Sequence, residues 1–346
     1  GDNMSILLNP KKYRDRNYPD ERSKEIMLKM IDWFEQKGLA KQKYNPAGRN
    51  LGAVKFVHGG VGRNVAENLA NLGINTLFMA SVDRTGIGRE IVARLAKSKV
   101  DTGYIVETGS RGMGLWLAVM DDTGDLAGSV SQMPDLVHLE NHISAKGAEF
   151  VRRSSHIALE LDLNEHITRK TLALAREYDR PVYGIPGNLS VIMGNSDILG
   201  GLDCFICNKV EAERLFGVSL PAGGNTAALE RELARFVAAK GLKAMVVTLG
   251  SSGCIHCDGR TGETGYQPVF PVDVIDTSGA GDAFFSGTVM GLMRGRPLKE
   301  AVVYGAKVAS WTIQSDENTC RDLAAKVTTE PLFCETLTSR AAATRR

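Results

Sequence analysis

The run Asp276-Thr277-Ser278-Gly279-Ala280-Gly281-Asp282-Ala283-Phe284 follows a strand-like stretch, Val272 to Ile275, and opens a helical stretch that ends near Met293. A loop of small residues at a helix N-terminus presents backbone N–H groups that no helical carbonyl accepts, and the helix dipole favours negative charge there. That combination is an anion hole, and Gly279 and Gly281 let the backbone approach a phosphate closely. Asp282 lies beside it in the first helical turn. A second carboxylate at an anion site is costly unless it is used, and Asp276 or Ser278 could cap the helix in its place. Asp282 is therefore the candidate base for a substrate hydroxyl. Its position in the first turn predicts an ionised side chain and so a weak base. That suffices in phosphoryl transfer, where a loose transition state asks for positioning and charge neutralisation more than for basicity.

A second glycine run, Gly59-Gly60-Val61-Gly62-Arg63-Asn64, leads into a helix continuing to Leu72. Read alone it suggests a nicotinamide-dependent oxidoreductase, but Gly60-x-Gly62-x-x-Val65 misses the third glycine of the dinucleotide fingerprint. No acidic residue ends a strand about 20 residues on. Its value lies in its pairing with the Asp282 loop more than 200 residues later.

These loops need a frame to hold them. From about residue 50, apolar strands alternate with helical stretches, the pattern of an α/β domain with a mainly parallel sheet. Helical periodicity marks Val61 to Leu72, Gly88 to Lys97, His166 to Glu177, Ala227 to Lys240 and Ala280 to Met293. Strands fit at Thr76 to Val82, His156 to Leu161, Pro181 to Ile185, Cys204 to Cys207 and Ala244 to Leu249. Between Met113 and Ser131, two β-rich segments flank Asp122-Thr123-Gly124-Asp125, a hairpin signal suited to a separate small sheet that acts as a lid. Before the lid, one amphipathic helix from about Asp20 to Lys37 carries the stripe Ile26, Met27, Met30, Ile31 and Phe34, read as packing on the main domain.

Composition narrows the partner. The 346 residues are 43% hydrophobic and 24% charged, values of a globular chain, and the 37 glycines exceed the average share of about 7%. Forty-two basic against 40 acidic residues leave +2, too little field for nucleic acid or an anionic membrane. No apolar run reaches the roughly 18 residues of a membrane helix and the start lacks the shape of a signal peptide, so a cytoplasmic protein with a small-molecule partner is expected. The pairs Cys204-x-x-Cys207 and Cys254-x-x-Cys257 superficially resemble zinc ligands. In strands, however, residues three apart point to opposite faces, so free thiols are the better reading.

The two glycine motifs together resemble the signature pair of the ribokinase-like (PfkB) carbohydrate kinase family. The first spans Gly59 to Gly73; the second is the Asp276 to Phe284 loop continuing through Ser286-Gly287. The resemblance covers about residues 45 to 325. It implies a doubly wound, mainly parallel sheet flanked by helices with a small β-sheet lid, its strands near 51–58 and 113–131, in a kinase domain of residues 45–330. An atypical segment 1–44 precedes this domain and a tail 331–346 follows it. The implied activity is transfer of the γ-phosphate of ATP to a primary hydroxyl of a sugar or nucleoside. By the run Gly-Gly-Val-Gly-Arg-Asn, the late run Thr312 to Thr319 and Asn45-Pro46, the chain looks most like the pseudouridine kinases. A ribose- or fructose-type sugar kinase, or a nucleotide-binding member with impaired catalysis, stays open.

Carried over residue by residue, the resemblance implies that Asp282 is the base and that the amides of Gly279, Ala280 and Gly281 hold the transferred phosphoryl. Gly59, Gly60 and Asn64 would bind substrate. Asn208-Lys209-Val210-Glu211 looks like the family's Asn-x-x-Glu motif, in which Asn208 and Glu211 help place magnesium and the phosphates. Thr248, Gly250, Ser251 and Gly253 look like the nucleotide-contacting strand end. Asp276 and Ser278, with Gln314 to Thr319, match where many members hold a monovalent cation such as K+. A homodimer through the lid is also implied.

Two departures stand out. Members begin with a core strand ending in a glycine and then a substrate-binding aspartate, whereas Gly1-Asp2-Asn3-Met4-Ser5-Ile6 has neither at that spacing. Either Met4 to Leu8 replaces that strand or the strand is absent, which would leave its neighbours with unpaired edges. Where many members carry Asp-Pro, this chain has Gly184-Ile185-Pro186-Gly187-Asn188, and Asp162 and Asn164 are the candidates to compensate. Of the remaining polar residues, His58 and Trp116 are read as structural, while Arg63, between the substrate glycines and Asn64, stands open between a place at the site and an ion pair with Glu67 one turn along its helix.

Overall fold

The computed structural model of the chain describes residues 3–7, 55–109, 111–120, 126–161, 163–187, 189–217, 220 and 226–333. The helix expected over 20–37, the hairpin tip 122–125 and the tail lie outside them. Two compact units emerge, residues 61–112 with 135 onward, and residues 2–60 with 113–134.

The larger unit is built on a six-stranded sheet of β7 (Ile157–Glu160), β8 (Val182–Ile185), β9 (Cys204–Asn208), β10 (Ala244–Thr248), β11 (Cys254–Asp258) and β12 (Glu263–Gln267). The first four run parallel and the last two turn back antiparallel. Alternation along the strands sends Leu159, Val182, Phe205, Met245, Val247 and Ile255 into one buried layer, and Tyr183, Ile185, Ile206, Ala244 and Val246 into the other. Strands buried on both faces read as unbroken apolar runs, which is why these segments were recognisable. One layer is covered by α4 (Glu165–Glu177) and α7 (Thr226–Lys240). The other is covered by α1 (Val61–Asn71), α8 (Ala280–Met293) and α9 (Leu298–Thr312). The same alternation separates the cysteine pairs. Cys204 and Cys254 lie in one layer and Cys207 and Cys257 in the other, as the strand geometry requires.

Among the helices not read from the sequence are α3 (Val137–Arg153) and α9, although Leu139, Ile143 and Val151 of α3 form a buried stripe at helical spacing. The strands β3 (Leu77–Asp83) and β4 (Asp101–Thr108), with α2 (Gly86–Lys97) between them, pair parallel as a two-stranded sheet of their own. The six-stranded sheet ends at β7.

The smaller unit is a four-stranded sheet in the order β2 (Lys55–His58), β1 (Asn3–Leu7), β5 (Gly114–Met120), β6 (Leu126–Gln132). The hairpin expected between Met113 and Ser131 is the β5–β6 pair. The N-terminal segment does form a strand, but not in the six-stranded sheet. It pairs antiparallel with β2 and parallel with β5 in the small sheet, so the core strand that it was expected either to replace or to leave absent is not supplied by it. No helix among the described residues is long and apolar enough to cross a membrane.

Candidate active site

The site is assembled at the carboxyl ends of the parallel strands, where open α/β sheets place their ligands. Helix α8 is its centre. Gly279 is its N-cap with φ +77, a conformation open to glycine, and a Cβ there would lie 2.0 Å from the carbonyl oxygen of Asn318. The Ala280 N–H donates to Thr277 O at 3.2 Å, closing the turn, and the Gly281 N–H has no acceptor among the described residues. Helix α8 is hydrophobic nearly all round and buried from Ala283 to Gly291, so its first turn is held by the core behind it.

Asp282 and Asn64 meet here although 218 residues separate them. The Asn64 Nδ2 donates to Asp282 Oδ2 at 2.7 Å. Asn64 is buried on α1, and its Oδ1 has no hydrogen-bond partner. An amide oxygen left unsatisfied in the interior is destabilising unless something else donates to it, and here it sits on the same amide that holds the candidate base.

The expectation of a weak, fully ionised base is overturned. Burial pushes Asp282 up to about 7, the Asn64 hydrogen bond and the Arg63 charge pull it down, and the charges of Glu160 and Glu211 push it up. The helix N-terminus was expected to dominate, but removing a carboxylate from water outweighs it. The result is a group near neutrality, where a general base works best.

Glu160 was missed. It ends β7, and its Oε2 accepts from the Gly62 N–H at 3.2 Å, which ties the first turn of α1 to the sheet. A carboxylate at the carboxyl end of a parallel strand was the available signal.

Asn208 and Glu211 form a reciprocal capping box on α6 (Lys209–Phe216): Asn208 Oδ1 accepts from Glu211 N–H at 2.9 Å, and Asn208 N–H donates to Glu211 Oε2 at 2.7 Å. The motif thus has a structural job, while Glu211 still projects charge onto Asp282. Thr248 pairs with Asn208 across neighbouring strands, and Gly250 and Gly253, with φ +61 and +82, shape the short turn that follows. Ser251 is exposed on that turn.

Gly59 and Gly60 follow β2, Gly60 with φ +102. Asp162 lies outside the described residues. Asn164 is a helix cap: its Oδ1 accepts from Ile167 N–H at 2.8 Å and its Nδ2 donates to Glu140 Oε1 at 2.5 Å, so the amide expected to bind substrate is committed within the fold. Asp276 Oδ1 accepts from both the N–H and the hydroxyl of Ser278. The segment Gln314 to Thr319 is brought alongside: Ile313 O accepts from the N–H groups of Ile275 and Asp276, and Asn318 abuts Gly279.

Behind α1 lies a buried ionic cluster. Glu67 accepts from Arg63, one of the two roles open to Arg63 in the sequence, and from Arg94 Nε at 3.0 Å. Arg94 Nη2 also donates to Glu317 Oε2 at 2.7 Å and to Thr319 Oγ1 at 3.0 Å. Burial works to raise Glu317, but the hydrogen bond and charge of Arg94 hold it below the usual carboxylate range.

An α/β sheet in which a glycine-capped helix N-terminus stands beside a carboxylate paired with an amide is a frame suited to phosphoryl transfer to an alcohol. The chain belongs to the pfkB family of carbohydrate kinases, whose family model matches residues 29–321. It is 35% identical over 282 residues to guanosine-inosine kinase of Exiguobacterium acetylicum, covering 82% of this chain and 92% of that one. It is 26% identical over 286 residues to pseudouridine kinase of Escherichia coli K12, covering 83% and 89%. Among solved structures, ribokinase of Arabidopsis thaliana complexed with ribose and ATP superimposes with TM-score 0.67 at 18% identity, covering 94% of this chain and 96% of that one. It is a sugar or nucleoside kinase of ribokinase-like fold.

Proposed function

We propose that the acceptor is a ribonucleoside, phosphorylated on its 5′-hydroxyl with ATP as donor. The observation that carries the site assignment is the Asn64–Asp282 pair at the N-terminus of α8, with Asn64 Oδ1 unsatisfied beside it. In this reading Asp282 takes the proton of the attacking hydroxyl as its oxygen bonds to the γ-phosphorus. The bond to the bridging oxygen breaks, and ADP leaves with the electron pair. Gly279, Ala280 and Gly281 neutralise charge on the moving phosphoryl through their amides and the helix N-terminus, and Asn64 orients both base and acceptor. Magnesium, when bound, neutralises phosphate charge, with Asn208 and Glu211 as its indirect holders. Thr248, Gly250, Ser251 and Gly253 are assigned to the nucleotide, and Asp276 and Ser278 to a monovalent cation.

Pseudouridine was the acceptor suggested by the motifs. The higher identity to guanosine-inosine kinase favours a purine ribonucleoside as a second reading. A coupled ADP-release assay with guanosine, inosine, pseudouridine, ribose and fructose, comparing potassium with sodium, separates these readings. Turnover on ribose or fructose alone refutes the nucleoside assignment, and turnover retained by Asp282→Asn refutes the base assignment.

The small sheet supports a dimer with a second copy of this chain. Phe56 and Leu117 are both register partners of Ile6, and Leu117 pairs with Val130. Phe56, Leu117 and Val130 are 65%, 39% and 65% exposed, an apolar row across one face of the sheet.

A further inference from the structure

We infer that Arg94 is a positioning residue for phosphoryl transfer, holding the loop 315–319 against the anion hole while fixing the helix that carries Asn64. The inference rests on the reading of Asp282 and Gly279–Gly281 as the reacting site. Arg94 lies on α2 and touches neither. Its guanidinium is shared between two carboxylates on different elements, Glu67 of α1 and Glu317 of the late loop. Each has an independent route to the chemistry.

The first route runs through α1. Glu67 lies one turn beyond Asn64, and all its described bonds come from other polar groups: Arg63 on its own helix, Arg94 and Ser98 on or after α2, and Thr319 on the loop. A buried carboxylate held from several sides pins the rotation of α1 about its axis. That rotation sets where the Asn64 amide meets Asp282.

The second route runs through the loop. Arg94 Nη2 donates to Glu317 and Thr319, the residues on either side of Asn318. The Asn318 carbonyl oxygen occupies the space where any Cβ on residue 279 would sit, so the loop is seated directly on the N-cap of α8. Arg321 grips the other oxygen of Glu317 at 2.5 Å. Only a planar fork with several donors bridges two carboxylates and a hydroxyl at once; a lysine ammonium is a point charge without that fork. Loss of Arg94 therefore leaves base and anion hole chemically intact but loosely aligned. In a reaction catalysed mainly by positioning, misplacement on the ångström scale reduces rate about a hundredfold.

The test compares Arg94→Ala, Arg94→Lys and Glu317→Gln with wild type and with Asp282→Asn, using ATP and whichever of inosine, guanosine or pseudouridine turns over. Expected for Arg94→Ala is a kcat lower by about tenfold to a hundredfold, with the KM of the nucleoside within about twofold. Millimolar guanidinium, but not sodium chloride at the same ionic strength, restores part of it. Arg94→Lys recovers little, and Glu317→Gln shows the same loss in kcat in milder form. A folded Arg94→Ala with wild-type kcat, or a loss confined to the KM of the nucleoside, overturns the inference. So does a loss that guanidinium leaves untouched and Glu317→Gln does not share. If Arg94→Ala does not fold, Glu317→Gln decides by the same kcat criterion, its side chain being at the outer end of the cluster with 22% exposure. Turnover in Asp282→Asn marks failure of the site assignment instead.

Discussion

Replacing Asn64 by leucine roughly keeps the volume of the side chain and removes the side-chain hydrogen bond that, among the described residues, favours the ionised form of Asp282. That bond is 2.7 Å long and ends on a carboxylate. Hydrogen bonds to charged groups contribute about 1.5–3 kcal/mol, and one pH unit corresponds to about 1.36 kcal/mol, so the loss raises Asp282 by about one to two units. Burial pushes wild-type Asp282 up to about 7. The acid limb of kcat/KM, which reports the free enzyme, should therefore move from about pH 7 to about pH 8–9. At about pH 7 the ionised fraction falls from about one half to between about one tenth and one hundredth. The predicted activity loss from ionisation alone is about five- to fiftyfold, and it disappears toward about pH 9.5. Any contact between Asn64 and the acceptor adds a loss independent of pH, so the two effects separate as a horizontal and a vertical displacement of the profile. The measurement is kcat/KM for the nucleoside by coupled ADP release over about pH 5.5 to 9.5. An acid limb that stays in place, or moves to lower pH, would refute the claim that Asn64 holds the ionised carboxylate.

Glu160→Gln should act with the opposite sign: the Glu160 charge raises Asp282, so its removal moves the acid limb to lower pH, read from the same profile. Gly279→Ala places a Cβ 2.0 Å from the Asn318 carbonyl oxygen at a φ of +77, and is expected to lower kcat at least about a hundredfold by displacing the anion hole, with the KM of the nucleoside less affected. Asp282→Asn should abolish turnover and alter the pH dependence of stability. Because the folded protein raises Asp282 from its ordinary value to about 7, wild type loses stability as pH rises from about 4 through about 7. The variant should therefore melt above wild type at about pH 8, and the gap should close by about pH 4; a constant gap in differential scanning fluorimetry contradicts the burial argument. Leu117→Lys combined with Val130→Lys should yield a monomer by light scattering with the wild-type far-ultraviolet circular dichroism spectrum, and an unchanged mass would argue against the small-sheet dimer.

Helix α8, strands β8 to β10 and the α1 helix were legible because each is a local pattern: apolar runs buried on two faces, or glycines immediately before a helical period. Helix α3 was legible in principle, with its stripe of Leu139, Ile143 and Val151, but its many polar residues weakened the period. The position of β1 was not legible. A short strand of this composition suits either sheet, and only its long-range pairing with β2 and β5 places it in the small one.

At the site, residue types that act through their own local backbone were readable. The anion hole at Gly279–Gly281 and the identity of Asp282 follow from a glycine turn and a helix start. The Arg63–Glu67 pair is also among the readings that a four-residue spacing offers. What the sequence could not supply is anything set by burial or by partners remote in the chain. The titration of Asp282 near neutrality depends on removal from water and on Asn64 and Glu160, more than a hundred residues away. Asn164 looks like a ligand in sequence but spends its amide on a helix cap and Glu140. The chain by itself determined that a turn of small residues would open α8 and that Asp282 would stand in its first turn. Only the tertiary structure decided how basic that carboxylate is and what holds it in line, because desolvation and Coulomb energy depend on distances that chain order does not encode.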